Sequence, residues 1–140
     1  MDDVFPEVRA LTDWRPILAV AAGAAIGGVA RYLVSVWAVG RFGLGQAWLG
    51  TGIINVSGAF LIGIVIQLAI AGAGVSPLAR VFLATGILGG YTTFSTYAWE
   101  ILILGTERSA ALATAYAAGS VVLGIGAAAA GSALARLAVR

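Results

Sequence analysis

From Pro16 to Leu134 the chain is apolar almost without interruption, and the few breaks in that pattern are short. Four runs, 16–40, 48–71, 77–104 and 110–134, each exceed the roughly 20 helical residues needed to cross a hydrocarbon core about 30 Å thick. The connections 41–47, 72–76 and 105–109 are too short to hold a soluble domain. With 61% hydrophobic and 10% charged residues in 140, the chain would not stay in water as a globular domain. The sequence therefore predicts an all-α integral membrane protein, with a tail over 1–15 and a single four-helix transmembrane domain over 16–140. All four tryptophans, Trp14, Trp37, Trp48 and Trp99, lie near predicted span ends, where amphipathic rings settle at headgroup depth. The first run is not read as a cleaved signal, because it follows Asp2, Asp3, Glu7 and Asp13, exceeds an apolar signal core and precedes three more runs.

Inside the third run lies G-I-L-G-G-Y-T-T-F-S-T-Y, Gly86 to Tyr97. Gly89 and Gly90 followed by two β-branched threonines make the weakest helical point of the span, near the midplane. A break is predicted there, freeing carbonyls around Gly89 to Thr92. Each unsatisfied amide in hydrocarbon costs several kcal/mol, so such backbone belongs against protein or a water-lined path. Unwound segments between half-helices are also where membrane proteins hold monovalent cations.

The other runs carry polar groups at helical spacing. The first, expected to begin at Pro16 in its opening turn, places Gly23, Gly27 and Arg31 on one face. Arg31 is roughly 13 Å of helix from Gly40, and two readings stand: a guanidinium that snorkels to the interface, or one that is buried and pairs with carbonyls or draws an anion. The second run stacks Thr51, Asn55 and Gly58 on one stripe. The Asn55 amide either makes an interhelical hydrogen bond or donates to a passing anion. In the third run Phe94 and Tyr97 project from one face with Ser95 and Thr96 beside them, and the electropositive edges of such rings hold an anion without trapping it. Glu100 reads as a vestibule or interfacial carboxylate, with a proton carrier as the alternative. The fourth run aligns Tyr116, Ser120 and Gly124.

Whole classes of chemistry are excluded. No cysteine, histidine or lysine is present, which removes thiolate or imidazole metal sites, Ser-His or Cys-His nucleophiles and Schiff-base lysines. The net charge of +2 rests on isolated arginines, with no basic patch for nucleic acid. No acid–base or nucleophilic constellation marks an enzyme.

Together, G-x-x-x-R-Y (Gly27 to Tyr32), N-x-x-G-x-F-x-x-G (Asn55 to Gly63) and G-G-x-T-T-F-S-T-aromatic resemble the Fluc (CrcB-type) fluoride channels, in order and over essentially all of the chain. The resemblance implies an antiparallel dual-topology dimer with two fluoride pores and a structural sodium ion held at the dimer centre by carbonyls corresponding to Gly89 and Thr92. It maps the pore asparagine to Asn55, with Thr51 one turn before it. The first pore phenylalanine maps to Phe94, and the polar track of the last helix to Tyr116 and Ser120. Two positions depart from the pattern: Tyr97 stands where the family has a second phenylalanine, and Gly124 where it has a later serine. A tyrosine keeps the ring edge and adds a hydroxyl, so conduction is expected to survive at an altered rate. The missing serine leaves one donor fewer.

The activity implied is passive fluoride efflux across a prokaryotic inner membrane, driven by an inside-negative potential at about 2.3 kcal/mol per 100 mV. Arg9, Arg15, Arg80, Arg136 and Arg140 on one side, against Arg41 and Arg108 on the other, lean toward an inside N-terminus. A self-pairing dual-topology subunit needs a weaker bias, so an oppositely inserted homologous partner is the alternative to a homodimer. A proton-coupled exporter of cationic drugs would want a buried carboxylate in the first helix, which offers only Arg31. A purely structural membrane subunit would leave the stacked polar faces of the later helices unexplained.

Overall fold

The computed structural model describes residues 13–139. The tail residues 1–12, with Arg9, and the terminal Arg140 lie outside the described residues. Helix α1 (Trp14–Phe42) starts two residues before Pro16, because the Asp13 side chain accepts the Arg15 N–H at 3.0 Å and caps the first turn. Gly43, at φ 84°, ends it, and a single 3₁₀ turn (Leu44–Gln46) leads into α2 (Ala47–Ile70). Ser76 caps α3 (Pro77–Arg80), which runs into a π-helical stretch (Val81–Leu88) and then α4 (Gly89–Tyr91). After an interruption come α5 (Phe94–Glu107) and α6 (Ala110–Ala138), the latter four residues longer than its apolar run.

Three continuous helical stretches, Trp14–Phe42, Leu44–Ile70 and Ala110–Ala138, are long and apolar enough to cross a membrane. The segment from Pro77 to Glu107 is not one continuous helix, because it is interrupted. That interruption is at Thr92 and Thr93, which are extended (ψ 158° and 121°), and not at the glycine pair. Gly89 and Gly90 stay helical. Their cost in helix propensity is offset by packing, since a Cβ on Gly90 would come within 2.7 Å of the Ala24 carbonyl oxygen of α1.

Helices pair by close backbone approach more than by bulky side chains. Along α1, Gly23 lies against Phe82 and Gly86, and Gly27 against Ile87 and Tyr91, so α1 and the third segment run in the same direction. Likewise Gly52 faces Tyr116 and Gln67 bonds Ser132 at 3.0 Å, so α2 and α6 are parallel. Among the described residues most buried positions are glycine or alanine, with Ile54, Leu88, Leu104 and Tyr116 among the exceptions, and many large residues such as Ile17, Leu18, Val122 and Ile125 point outward. A lipid solvent gives this pattern, because it removes the hydrophobic drive to bury large side chains and leaves packing and hydrogen bonds to join helices.

The π-helical stretch was not legible from residue spacing. Its last carbonyl pairing sends the Gly89 N–H back to Ala84, five residues earlier. Wound this way, the segment takes more residues per turn and resets the face presented by everything after it. Such stretches recur near functional sites.

Candidate functional site

The interruption at Thr92–Thr93 exposes backbone groups that an unbroken helix would have paired, and several of them are taken by specific side chains. Asn55 on α2 donates its Nδ2 to the Thr93 carbonyl at 3.0 Å and accepts the Thr93 N–H on Oδ1 at 2.9 Å. Asn55 thus makes an interhelical bond, and an amide of this type keeps one further N–H to donate. Thr93 in turn caps α5: its Oγ1 accepts the Thr96 N–H at 3.3 Å and donates to Thr96 Oγ1 at 3.1 Å. Thr92 Oγ1 donates back to the Leu88 carbonyl at 2.9 Å.

These diversions have a consequence for two carbonyls. An unbroken helix would return the Thr93 N–H to Gly89 and the Thr96 N–H to Thr92. Both donors are spent elsewhere, one on Asn55 and the other on the Thr93 hydroxyl. Gly89 and Thr92, the two positions nominated by the family resemblance, thus lose their helical donors, as do Gly90 and Tyr91, whose donors would be the Phe94 and Ser95 N–H groups of the first turn of α5.

A cavity of about 430 Å³ opens beside this break. Its wall brings together Asn55, Gly89, Thr92, Phe94, Tyr97 and Ser120, drawn from α2, α4, the interruption, α5 and α6. The Phe94 ring is 80% exposed, while Tyr97 is half-buried, with their centroids 6.0 Å apart. Tyr97 sits edge-on to Tyr116 (5.3 Å, 65°), and Tyr116 edge-on to Trp48 (5.2 Å, 65°). Four rings from three elements thus form one run from the cavity to the start of α2.

Not every nominated residue reaches that cavity. Thr51 and Tyr116 converge instead on Glu100: Thr51 Oγ1 donates to Oε1 at 2.7 Å and Tyr116 OH to Oε2 at 2.8 Å. Glu100 is thus bonded on both of its carboxylate oxygens. Two hydroxyls from flanking helices satisfy it within the bundle, and Tyr116 is 7% exposed. Thr51 and Thr96 also line a separate cavity of about 330 Å³, with Arg31, Ser35 and Thr93. Arg31 is half-buried on its wall. Ser95 is exposed and lines neither cavity, its Oγ 3.4 Å from Thr93 Oγ1. Ser120 lines both the main cavity and an apolar groove of about 400 Å³ between α2 and α6. At Gly124 a Cβ would meet nothing within 4 Å, so no packing demand accounts for the missing serine.

Thr93 is the hub that residue types alone did not reveal. The signal was available, since a threonine three residues before Thr96 fits a helix cap, but it lay within the stretch read as the helix break.

Residues 18–132 match the family described as CrcB-like protein, Camphor Resistance (CrcB). A Nitrobacter winogradskyi protein named fluoride-specific ion channel FluC is 47% identical over 124 residues, covering 89% of this chain and 98% of its own length. Rhizobium meliloti has a relative of the same name, 45% identical over 120 residues and covering 86% and 95% of the two chains. A third, from Thermus thermophilus, is 44% identical over 108 residues, or 77% and 84% of the two. With most of its length inside the family match and these identities sustained along it, the chain belongs to the CrcB-like family.

Proposed function

We propose that the chain is the subunit of a fluoride-selective channel that lowers cytoplasmic fluoride by passive electrodiffusion. The observation that carries this is the single cavity joining Asn55, Phe94, Tyr97 and Ser120 to the broken backbone, in a chain whose relatives are named fluoride-specific ion channels. Fluoride holds its hydration shell tightly, so a pore must offer replacement donors. The spare Asn55 N–H, the Ser120 hydroxyl and the electropositive ring edges of Phe94 and Tyr97 supply them without a full positive charge that would arrest the ion.

Thr51, Tyr116, Ser95 and Thr96 take supporting parts in this scheme. Thr51 and Tyr116 hold Glu100 between α2 and α6, and Thr96, with Ser95 beside it, secures the start of α5. Arg31 serves as a vestibule charge that raises the local anion concentration. Hydrogen fluoride enters cells neutral and ionises at cytoplasmic pH; the inside-negative potential then expels the anion at about 2.3 kcal/mol per 100 mV. No enzymatic step is required.

A structural sodium ion fits the donor set. The Gly89 and Thr92 carbonyls are neutral, hard oxygens whose helical donors are engaged elsewhere, which supports cation ligation by these two groups. When bound, the ion would supply the positive charge that holds opposed carbonyls together. Two oxygens per chain fall short of a full shell, which supports an antiparallel dimer of four-span subunits in the inner membrane, either a homodimer or a pair with an oppositely oriented homologue.

The test is efflux from liposomes that contain the purified protein, read with a fluoride electrode and repeated with chloride. Rapid fluoride loss once a potassium ionophore relieves the charge imbalance, with chloride retained, is the expected result. Vesicles that hold their fluoride, both alone and with an oppositely oriented homologue present, would overturn the reading.

A further inference from the structure

Three consecutive residues at the break are each seated on one short stretch of α2. Tyr91 meets Ser57 oxygen to oxygen at 3.0 Å, and because the Ser57 hydroxyl donates to the Ile53 carbonyl at 2.7 Å, the phenol is the donor. Thr93 is bonded both ways by Asn55. Between them, Thr92 reaches α2 through its methyl: a Cβ added at the buried Gly58 would run into Thr92 Cγ2. We propose that Gly58 is a positioning residue, a notch that receives the Thr92 methyl and so fixes the Thr92 carbonyl as a ligand for sodium; the inference rests on the sodium reading above.

Gly58 differs from the glycines at the helix crossings. At Gly23, Gly27, Gly63 and Gly131 an added Cβ would strike a carbonyl oxygen of the neighbouring segment, as close backbone approach requires. At Gly58 the obstacle is a single methyl; the next atoms, Tyr91 Cδ1 at 3.4 Å and Thr92 Cβ at 3.8 Å, stand at ordinary contact distance. Thr92 is held from its other branch as well, since Oγ1 donates to the Leu88 carbonyl at 2.9 Å and leaves the methyl turned to α2. A β-branched side chain fixed on both branches leaves its own Cα little room to shift. The Thr92 N–H is still bonded to Leu88 at 3.0 Å, so the chain opens at the peptide that follows, whose carbonyl has lost its helical donor. An ion ligand is only as well placed as the groups that support it. Gly58, Gly89 and Thr92 also line the same cavity.

The experiment follows the unfolding midpoint of the purified protein in detergent as sodium replaces N-methylglucamine at constant ionic strength, for wild type, Gly58→Ala and Gly58→Ala/Thr92→Ser. Serine keeps Oγ1 and removes Cγ2, so the double variant carries one methyl across the contact without adding volume. The wild-type midpoint should climb with sodium, as for any native state that binds an ion, from an onset set by the dissociation constant. In Gly58→Ala that onset should move to about tenfold higher sodium, the scale of overpacking a fixed contact, and in the double variant it should return to within about threefold of wild type. A wild-type midpoint indifferent to sodium defeats the sodium reading and this inference together. Where wild type responds, an onset in Gly58→Ala that moves less than about threefold, however low the midpoint itself, defeats the inference alone, because the glycine then serves packing only. A double variant that fails to recover the onset defeats it too, and that variant decides the matter by itself if Gly58→Ala yields no folded protein.

Discussion

Asn55 and Thr93 stand 38 residues apart in sequence and close a two-way hydrogen bond, side-chain amide to backbone amide, at 3.0 and 2.9 Å. One carboxamide thereby takes the place of the Gly89 carbonyl for the Thr93 N–H and gives the Thr93 carbonyl, which opens α5 as its N-cap, a second donor. Changing Asn55 to Asp keeps the acceptor for the Thr93 N–H but sets a second oxygen against the Thr93 carbonyl. Stability should fall by about 2–4 kcal/mol, as for a polar group left unpaired away from water. Thermal unfolding in detergent measures it, and a variant as stable as wild type would show the latch to be dispensable. Fluoride efflux should fall with it, since the negative charge then lines the cavity.

Phe94→Ile separates the ring edge from the fold. The ring is largely exposed, so stability should change by no more than about 0.5 kcal/mol. Fluoride release is expected to drop to that of protein-free vesicles. Normal efflux from this variant would remove the role assigned to aromatic edges.

At Glu100 the two carboxylate oxygens each accept a hydroxyl, one from Thr51 and one from Tyr116. Glutamine retains one acceptor and presents a donor in place of the other. A loss of about 1–3 kcal/mol is predicted for Glu100→Gln, the cost of one mispaired buried group. An unchanged unfolding midpoint would mean the two hydroxyls find other partners.

Adjacent glycines on α1 give a matched pair of tests. A side chain at Gly27 would run into the Ile87 carbonyl and the Tyr91 amide, whereas one at Gly28 would meet nothing within 4 Å. Gly27→Leu should force α1 off the π-helical stretch at about 1–3 kcal/mol or more, while Gly28→Ala should lie within about 0.5 kcal/mol of wild type. Equal stability of the two variants would contradict the packing described for α1.

Replacement of all sodium by N-methylglucamine should slow or stop fluoride efflux, if a cation rests on the Gly89 and Thr92 carbonyls. Restoring sodium should restore the rate. Undiminished efflux in sodium-free buffer would end the case for that ion.

How much could be read beforehand follows from how far each feature reaches along the chain. Gly23 and Gly27, or Thr51, Asn55 and Gly58, share faces because a helix repeats every 3.6 residues, and that regularity is visible in the letters. The partner across the bundle is not. Nothing in the spacing says that Asn55 meets Thr93, or that Glu100 draws hydroxyls from both Thr51 and Tyr116. Within the G-G-x-T-T stretch expected to break, the threonines open and the glycines do not, because helix propensities reflect water, where glycine is costly. Within the bundle, Gly90 gains by lying against Ala24, and the chain opens instead at Thr93, where a hydroxyl and a carboxamide wait for its backbone. The π-helical winding of Val81–Leu88 likewise answers to the packing of α1 and leaves no local signature.

The bond between Asn55 and Thr93 also orders events in time. Synthesis proceeds from the N-terminus, so residue 55 is made and can be inserted before residue 93 emerges. The opened backbone of the third segment is therefore made after its amide partner in α2. Left to enter alone, it would carry unpaired groups into a solvent that cannot bond them. A chain permuted to make the third segment first would form its break before Asn55 exists to pair it.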